Sequence, residues 1–352
     1  MIHPEFRIND QSFSSPDEVI RYASHLSKRE GEEEIVGKFI SEWLSPKNFI
    51  EVQTSGSTGK PKLIQLPKNR VINSAKATNA FFSLGKGTKA LLCLSAAYIA
   101  GKMMLVRAMI GGWNLCTVNP GQNPLENLTA EFDFTAMVPY QVMHSLKDLY
   151  KVKKIIIGGG VISPELERKL QSEPTIAYAT YGMTETISHI AVRQVNGKEK
   201  SDFYTALPDV AFSQTPEGCL MISAPHITED ILETNDVVRL ISSTEFEFLG
   251  RKDHVINSGG VKIFPEEIEK VIGWHIDKNF FIAAEKDAFL GEKVILVIEN
   301  ENPLPEKTLS EAFESLKPYL KPKEVYYLSN FSYTETGKIR RQETLNLLFD
   351  RK

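Results

Sequence analysis

The chain has 352 residues, 42% hydrophobic and 24% charged, with a net charge of −4. These values are ordinary for a globular protein of two domains or more, and they exclude a global electrostatic pull toward nucleic acid or an anionic membrane. Cys93, Cys116 and Cys219 are too few and too scattered for a disulfide frame or a zinc site. No apolar run reaches the roughly 18 residues of a membrane span, and Met1–Asp10 carries charges and a proline where a signal peptide would be apolar. A cytoplasmic protein with buried, reduced thiols is expected, with no nucleic-acid partner.

Taken in chain order, Ser15-Pro16-Asp17-Glu18 is a helix start: a serine cap, a proline at the first helical position and a glutamate three residues after the cap. A second amphipathic helix carries Ile35, Val36, Phe39, Ile40 and Trp43 and stops at Ser45-Pro46. Gln53–Lys62 then reads Gln-Thr-Ser-Gly-Ser-Thr-Gly-Lys-Pro-Lys between two β-prone runs, Phe49–Val52 and Leu63–Leu66. This predicts a strand, a polar glycine-rich loop and a second strand. Glycines allow close backbone approach, and hydroxyls, N–H groups and lysines suit a polyphosphate. The loop is not a Walker A motif, because only two residues separate Gly56 from Gly59 and Pro61 follows Lys60. A helix over residues 69–84, closed by Gly85, is expected next.

From 89 to 181 short apolar strands (90–94, 115–118, 134–138, 154–157, 175–181) alternate with helices (101–110, 140–150, 163–170). Such alternation implies right-handed crossovers and a mostly parallel, doubly covered sheet, with ligands beyond the carboxyl ends of its strands. Two of those ends are rich in chemistry: Gly158-Gly159-Gly160 and Tyr181-Gly182-Met183-Thr184-Glu185. Between about 187 and 249 strands alternate with turns, predicting a small β-rich subdomain. Helices near 266–272 and 308–319 and strands near 280–284, 294–298 and 325–328 predict a compact α+β unit. The expected fold class is therefore α/β: a large N-terminal domain over 1–249 and a smaller α+β C-terminal domain over 250–352.

Four stretches need one explanation: Thr54–Lys62, Tyr181–Glu185, Thr234-Asn235-Asp236 with Gly250–Glu269, and Thr336-Gly337-Lys338. In this order they resemble the adenylate-forming superfamily of acyl- and aryl-CoA ligases, luciferases and peptide-synthetase adenylation domains. The family's Thr-Ser-Gly-Ser/Thr-Thr-Gly-x-Pro-Lys, Tyr-Gly-x-Thr-Glu, Gly-Arg-x-Asp-x-x-Ile and Gly-Lys-Ile-x-Arg elements fall at 54–62, 181–185, 250–256 and 337–341. The resemblance implies ATP, Mg²⁺ and coenzyme A: a carboxylate is activated as an acyl-adenylate with release of pyrophosphate, then passed to a thiol with release of AMP. It implies that Thr54, Ser55, Gly56, Ser57, Thr58, Gly59, Lys60 and Lys62 hold phosphates. Thr184 would add a hydroxyl, and Glu185 would hold Mg²⁺, which prefers hard oxygen ligands. Asp236 and Arg251 would meet the ribose, with Tyr181 and Gly182 beside the nucleotide. Gly159 and Gly160 would let adenine lie against the backbone. Lys338 would bridge the α-phosphate and the attacking carboxylate. Asp253 matches the family's hinge, about which a mobile C-terminal domain turns to present first Lys338 and then Ser258, Gly259 and Gly260, the last two lining a thiol channel.

The segment Tyr98–Arg107 resembles the o-succinylbenzoate–CoA ligase branch, which would place the chain in menaquinone biosynthesis. Arg107 lies in an apolar helical stretch, which is costly unless it meets an anion, and o-succinylbenzoate keeps a second carboxylate when the first is activated. Tyr98, Lys102, Arg107 and Gly158 are the candidate substrate contacts. Lys102 lies about 140° around a helix from Arg107, so both cannot share one face. Other readings are another aryl- or acyl-CoA ligase, an enzyme adenylating for a carrier protein, and a non-catalytic nucleotide-binding relic; a homo-oligomer is compatible with each. Tyr98 replaces the branch's usual His, the late motif lacks its proline, and 53 residues precede the phosphate loop where relatives often have over a hundred.

Overall fold

The computed structural model describes residues 2–53, 63–333 and 339–350. The predicted first helix runs Pro16–Leu26, with Ser15 Oγ accepting from Glu18 N at 3.4 Å and Glu18 Oε2 accepting in return from Ser14 N at 2.7 Å. Val19, Ala23 and Leu26 are buried on one face, against the second helix, Glu32–Leu44, which buries Val36, Phe39, Ile40 and Trp43. The strands Phe49–Gln53 and Leu63–Pro67 pair antiparallel as expected. The next helix spans Lys68–Phe82, and the chain turns at Ser83, left-handed at φ +56, rather than at Gly85.

Among the described residues the large sheet has thirteen strands. Its centre is parallel: Ile176–Gly182, Val152–Ile157, Phe132–Met137, Lys89–Leu92, Asn114–Thr117 and Arg7–Ile8 lie side by side in that order. Successive side chains point to opposite faces of a strand, so Ala90 and Leu92 join one core and Leu91 another, and Ile156 is parted in the same way from Ile155 and Ile157. Both faces of the parallel sheet are thus apolar and covered. Beyond Ile176–Gly182 the strands turn antiparallel: His189–Gln194, Tyr204–Ala206, Glu245–Arg251, Leu232–Ser242, Cys219–Ser223 and Ala211–Gln214. The expected β-rich segment therefore extends the parallel sheet by continuous hydrogen bonding.

A second sheet gathers Val261–Ile263, Ile256–Ser258, Gly291–Glu299, Phe280–Asp287 and Glu324–Leu328. Alternation divides it likewise. Ile282, Val294, Leu296 and Ile298 pack under the helices Pro265–Ile272 and Glu306–Glu314, while Phe281, Ala283, Ile295 and Val297 face Leu348 of the helix Arg341–Phe349. The first sheet ends at Arg251 and the second begins at Ile256, joined by the short helical turn Lys252–His254. Among the described residues no helix is long and apolar enough to cross a membrane.

The join is tightly packed. A Cβ on Gly250 would lie 2.4 Å from Glu266 Oε2, and Glu266 Oε1 is held 2.6 Å from His254 Nδ1. Gly250→Ala must displace that carboxylate, and overpacking of this kind costs about 1–3 kcal/mol. A lower urea midpoint with unchanged slope is expected; an unchanged midpoint would show that Glu266 moves aside freely.

Candidate active site

The site is built at the carboxyl ends of two neighbouring parallel strands. Val152–Ile157 runs into Gly158-Gly159-Gly160, and Ile176–Gly182 runs into Met183, Thr184 and Glu185. A Cβ on Gly158 would lie 2.6 Å from Thr180 Oγ1, and one on Gly182 would lie 2.5 Å from Ser188 O. Gly158 leaves room for the Thr180 side chain on the neighbouring strand, and Gly182 for the backbone of Ser188 and His189 as the chain folds back. Gly159 and Gly160 are exposed, leaving their backbone open to a flat ligand.

After Gly182 a single helical turn, Thr184–Thr186, reverses the chain into His189–Gln194. Thr186, fully buried, pins it: its hydroxyl accepts from Met183 N at 2.9 Å and can donate to Met183 O or Ser188 O, at 3.0 and 2.8 Å. Ile187 sits at φ +66, ψ −52, a strained conformation for a β-branched residue that persists only where its surroundings hold it. The result is a rigid turn that presents half-buried Thr184 and exposed Glu185 at the strand end. Thr186 and Ile187 were not among the expected site residues; the strain they carry has no sequence signal.

Asp236 is brought to the same end from the antiparallel part of the sheet. It is 8% exposed and stands opposite Arg251 in the ladder. Tyr181 Oη donates to Oδ2 at 2.5 Å, and Arg251 Nη1 donates to Oδ1 at 3.3 Å. Burial and the Asp236 charge both push the Tyr181 hydroxyl far above its ordinary range, so it stays a donor. Each Asp236 oxygen keeps a second lone pair for a hydroxyl of a ligand. Arg251 Nη2 also donates to Asp253 Oδ2 at 2.9 Å, so Asp236, Arg251 and the exposed Asp253 form a line from the site to the join.

Arg107 is 2% exposed, not a surface side chain. Its Nη2 donates to Ser188 Oγ at 2.7 Å and lies 3.4 Å from His189 Nδ1, while its Nε has no partner among the described residues. No carboxylate pairs with it among the described residues, and burial pushes the guanidinium down to about 9. Lys102 points elsewhere, as the spacing required. Its Nζ donates to Glu51 O at 2.5 Å, lies 3.9 Å from Glu42 Oε2 and stands over the Phe39 ring. It supports the strand that leads into the glycine-rich loop. Tyr98 precedes the helix Ile99–Gly111 and is half exposed. Gly259 and Gly260, at φ +57 and +81, make the two-residue turn between Ile256–Ser258 and Val261–Ile263, a geometry that favours glycine at both places. Thr54, Ser55, Gly56, Ser57, Thr58, Gly59, Lys60, Lys62 and Lys338 lie outside the described residues.

Among the described residues no group of three His, Cys, Asp or Glu could hold a metal alone. Mg²⁺ needs no such cage, being bound through one or two carboxylates together with substrate phosphates. The exposed Glu185 at the strand end fits that role.

Residues 14–210, over half of the chain, match the AMP-binding enzyme family. The chain belongs to that family. A solved relative, the acyl-CoA synthetase (AMP-forming)/AMP-acid ligase II-like protein of Dyadobacter fermentans, is 37% identical, with 91% of this chain and 95% of that one covered and a TM-score of 0.63. The 2-succinylbenzoate–CoA ligase of Salmonella typhimurium is 25% identical over 76% of this chain, which spans 61% of that protein's length. Bacillus subtilis o-succinylbenzoate coenzyme A synthetase, solved with ATP and magnesium, is 19% identical over 84% of this chain and 69% of its own, with a TM-score of 0.69, a likeness of fold.

Proposed function

We propose that this AMP-binding family member is an ATP-dependent acid–CoA ligase whose acid is o-succinylbenzoate. The family supports the reaction class, and the buried Arg107 supports the dicarboxylate. A guanidinium removed from water with no carboxylate among its described neighbours is costly by itself, and is stabilised when a substrate anion reaches it.

In this reading one carboxylate oxygen of the acid attacks the α-phosphorus of ATP and pyrophosphate leaves. The thiol sulfur of coenzyme A then attacks the acyl carbon and AMP leaves. Two anions meet in the first step, so preorganised donors and positive charge stabilise its transition state. The loop from Thr54 to Lys62 holds the phosphates that depart, and Thr184 adds a hydroxyl. Mg²⁺ on Glu185 would neutralise phosphate charge. Asp236 and Arg251 receive the ribose, and Gly159 and Gly160 the adenine. Arg107 fixes the remote carboxylate. Asp253, with the boundary between domains drawn at 249/250, is the pivot that exchanges Lys338 for the Gly259-Gly260 turn.

Pyrophosphate release from ATP and Mg²⁺ over a panel of acids tests this reading. Release that depends on o-succinylbenzoate and exceeds that with benzoate and aliphatic monoacids is expected. Silence with every acid would favour a nucleotide-binding relic, and preference for a monoacid would remove the role given to Arg107.

A further inference from the structure

The surroundings of Arg107 contain a chain of hydrogen bonds with one consistent direction. His189 Nδ1 is 3.4 Å from Arg107 Nη2, and His189 Nε2 is 3.3 Å from Thr78 Oγ1. Thr78 Oγ1 in turn donates to Ser74 O at 3.2 Å, within the helix Lys68–Phe82. An arginine can only donate, so Nδ1 accepts, and the ring proton is assigned to Nε2, which donates to Thr78. The hydrogen of Thr78 then goes to the Ser74 carbonyl. His189 is 7% exposed. Burial first, and the Arg107 charge second, hold its pKa well below the ordinary value, so the ring is neutral. Arg107 is the charged group among the described residues that faces it; the neighbouring Ser188, whose Oγ is 3.4 Å from Nδ1, and Thr78 of the packed helix are uncharged.

We propose that His189 is a positioning residue for substrate recognition. As a neutral acceptor it works with Ser188 to fix Nη2, and so aims the remaining donors of Arg107 at the second carboxylate of the acid. Among the described residues Nε has no partner, and Nη1 lies 4.0 Å from Met104 Sδ, too weak a contact to hold it. A guanidinium free to turn would satisfy these groups in several ways and lose the geometry of a two-point contact. The inference rests on Arg107 being the dicarboxylate anchor.

The test compares His189→Leu and His189→Gln in the full chain, reading KM and kcat for o-succinylbenzoate and for ATP. The leucine variant is expected to raise KM for the diacid tenfold or more, roughly the effect of losing one hydrogen bond to a charged group, with KM for ATP and kcat within about twofold. The glutamine variant, whose amide oxygen can accept from Nη2 while its nitrogen donates to Thr78, should restore most of the loss. KM values for acid and ATP rising together, or glutamine no better than leucine, would overturn the proposal. If the leucine variant does not fold, the glutamine variant decides against His189→Ala. Arg107→Leu separates the two claims. No diacid-selective effect there removes the anchor itself; a selective effect there without one at His189 removes this inference alone.

Discussion

Lys338→Ala is expected to cut pyrophosphate–ATP exchange by roughly 10²–10³, the scale for removing one preorganised stabiliser of transition-state charge. Thioester formation from a supplied acyl-adenylate should stay close to wild type, because that step is proposed to use the other domain pose. The motif Gly337-Lys338-Ile339-Arg340-Arg341 carries the assignment, and Tyr333, Ile339 and Arg341 are each held by partners of their own. Tyr333 and Ile339 form an antiparallel bridge, and Tyr333 Oη donates to Glu299 Oε2 at 2.5 Å while accepting from Asn279 Nδ2 at 2.9 Å. Arg341 Nη2 pairs with the half-buried Glu269 at 2.8 Å, and Glu269 also accepts from Ile282 N at 2.8 Å. Equal losses in both half-reactions would contradict the role.

Arg107→Leu is expected to raise KM for o-succinylbenzoate by about 10²-fold or more, the scale for truncating one partner of a buried, hydrogen-bonded charge pair, with KM for ATP little changed. Stability is expected to move the other way. Burial holds the folded pKa of Arg107, about 9, below its unfolded value. The charged form therefore opposes folding, most fully below pH 9, and this cost fades as pH rises. A leucine of fair fit removes the cost, so the thermal midpoint should hold or rise. A collapsed midpoint together with equal losses for acid and ATP would make Arg107 a structural residue.

Much of this fold is legible in short-range chemistry. Ser15 and Ser163 cap their helices where Ser-Pro predicts them, and alternating strands and helices between 89 and 181 become a parallel sheet. What escaped is held by distant partners. Arg7–Ile8 and Gln11–Ser12 are two-residue strands that exist because Asn114–Thr117 offers them an edge. Tyr204–Ala206 is three residues joined between His189–Gln194 and Glu245–Arg251. The helix Arg341–Phe349 has no strong apolar stripe; Leu348 is buried by a sheet formed from earlier strands.

The site divides in the same way. Motif spacing places Thr184, Glu185, Asp236 and Arg251, and folding brings the last two within 3.3 Å of each other. The apolar setting of Arg107 marks it as a cation costly to bury without a partner, and folding leaves it 2% exposed. Its partner His189 and the residue behind that, Thr78, are 111 positions apart in the chain, so no local pattern joins them. Lys102 shows the converse. Its sequence position suggests the acid pocket, but its Nζ is bound to Glu51 and it supports the strand ahead of the phosphate loop.

The most direct measurement is product analysis of the full chain incubated with ATP, Mg²⁺, o-succinylbenzoate and coenzyme A. The account predicts AMP and o-succinylbenzoyl-CoA in equal amounts, with AMP release accelerated by coenzyme A. Pyrophosphate release without any thioester would contradict the ligase and point to a different acceptor, and absence of both products with this acid would contradict the substrate.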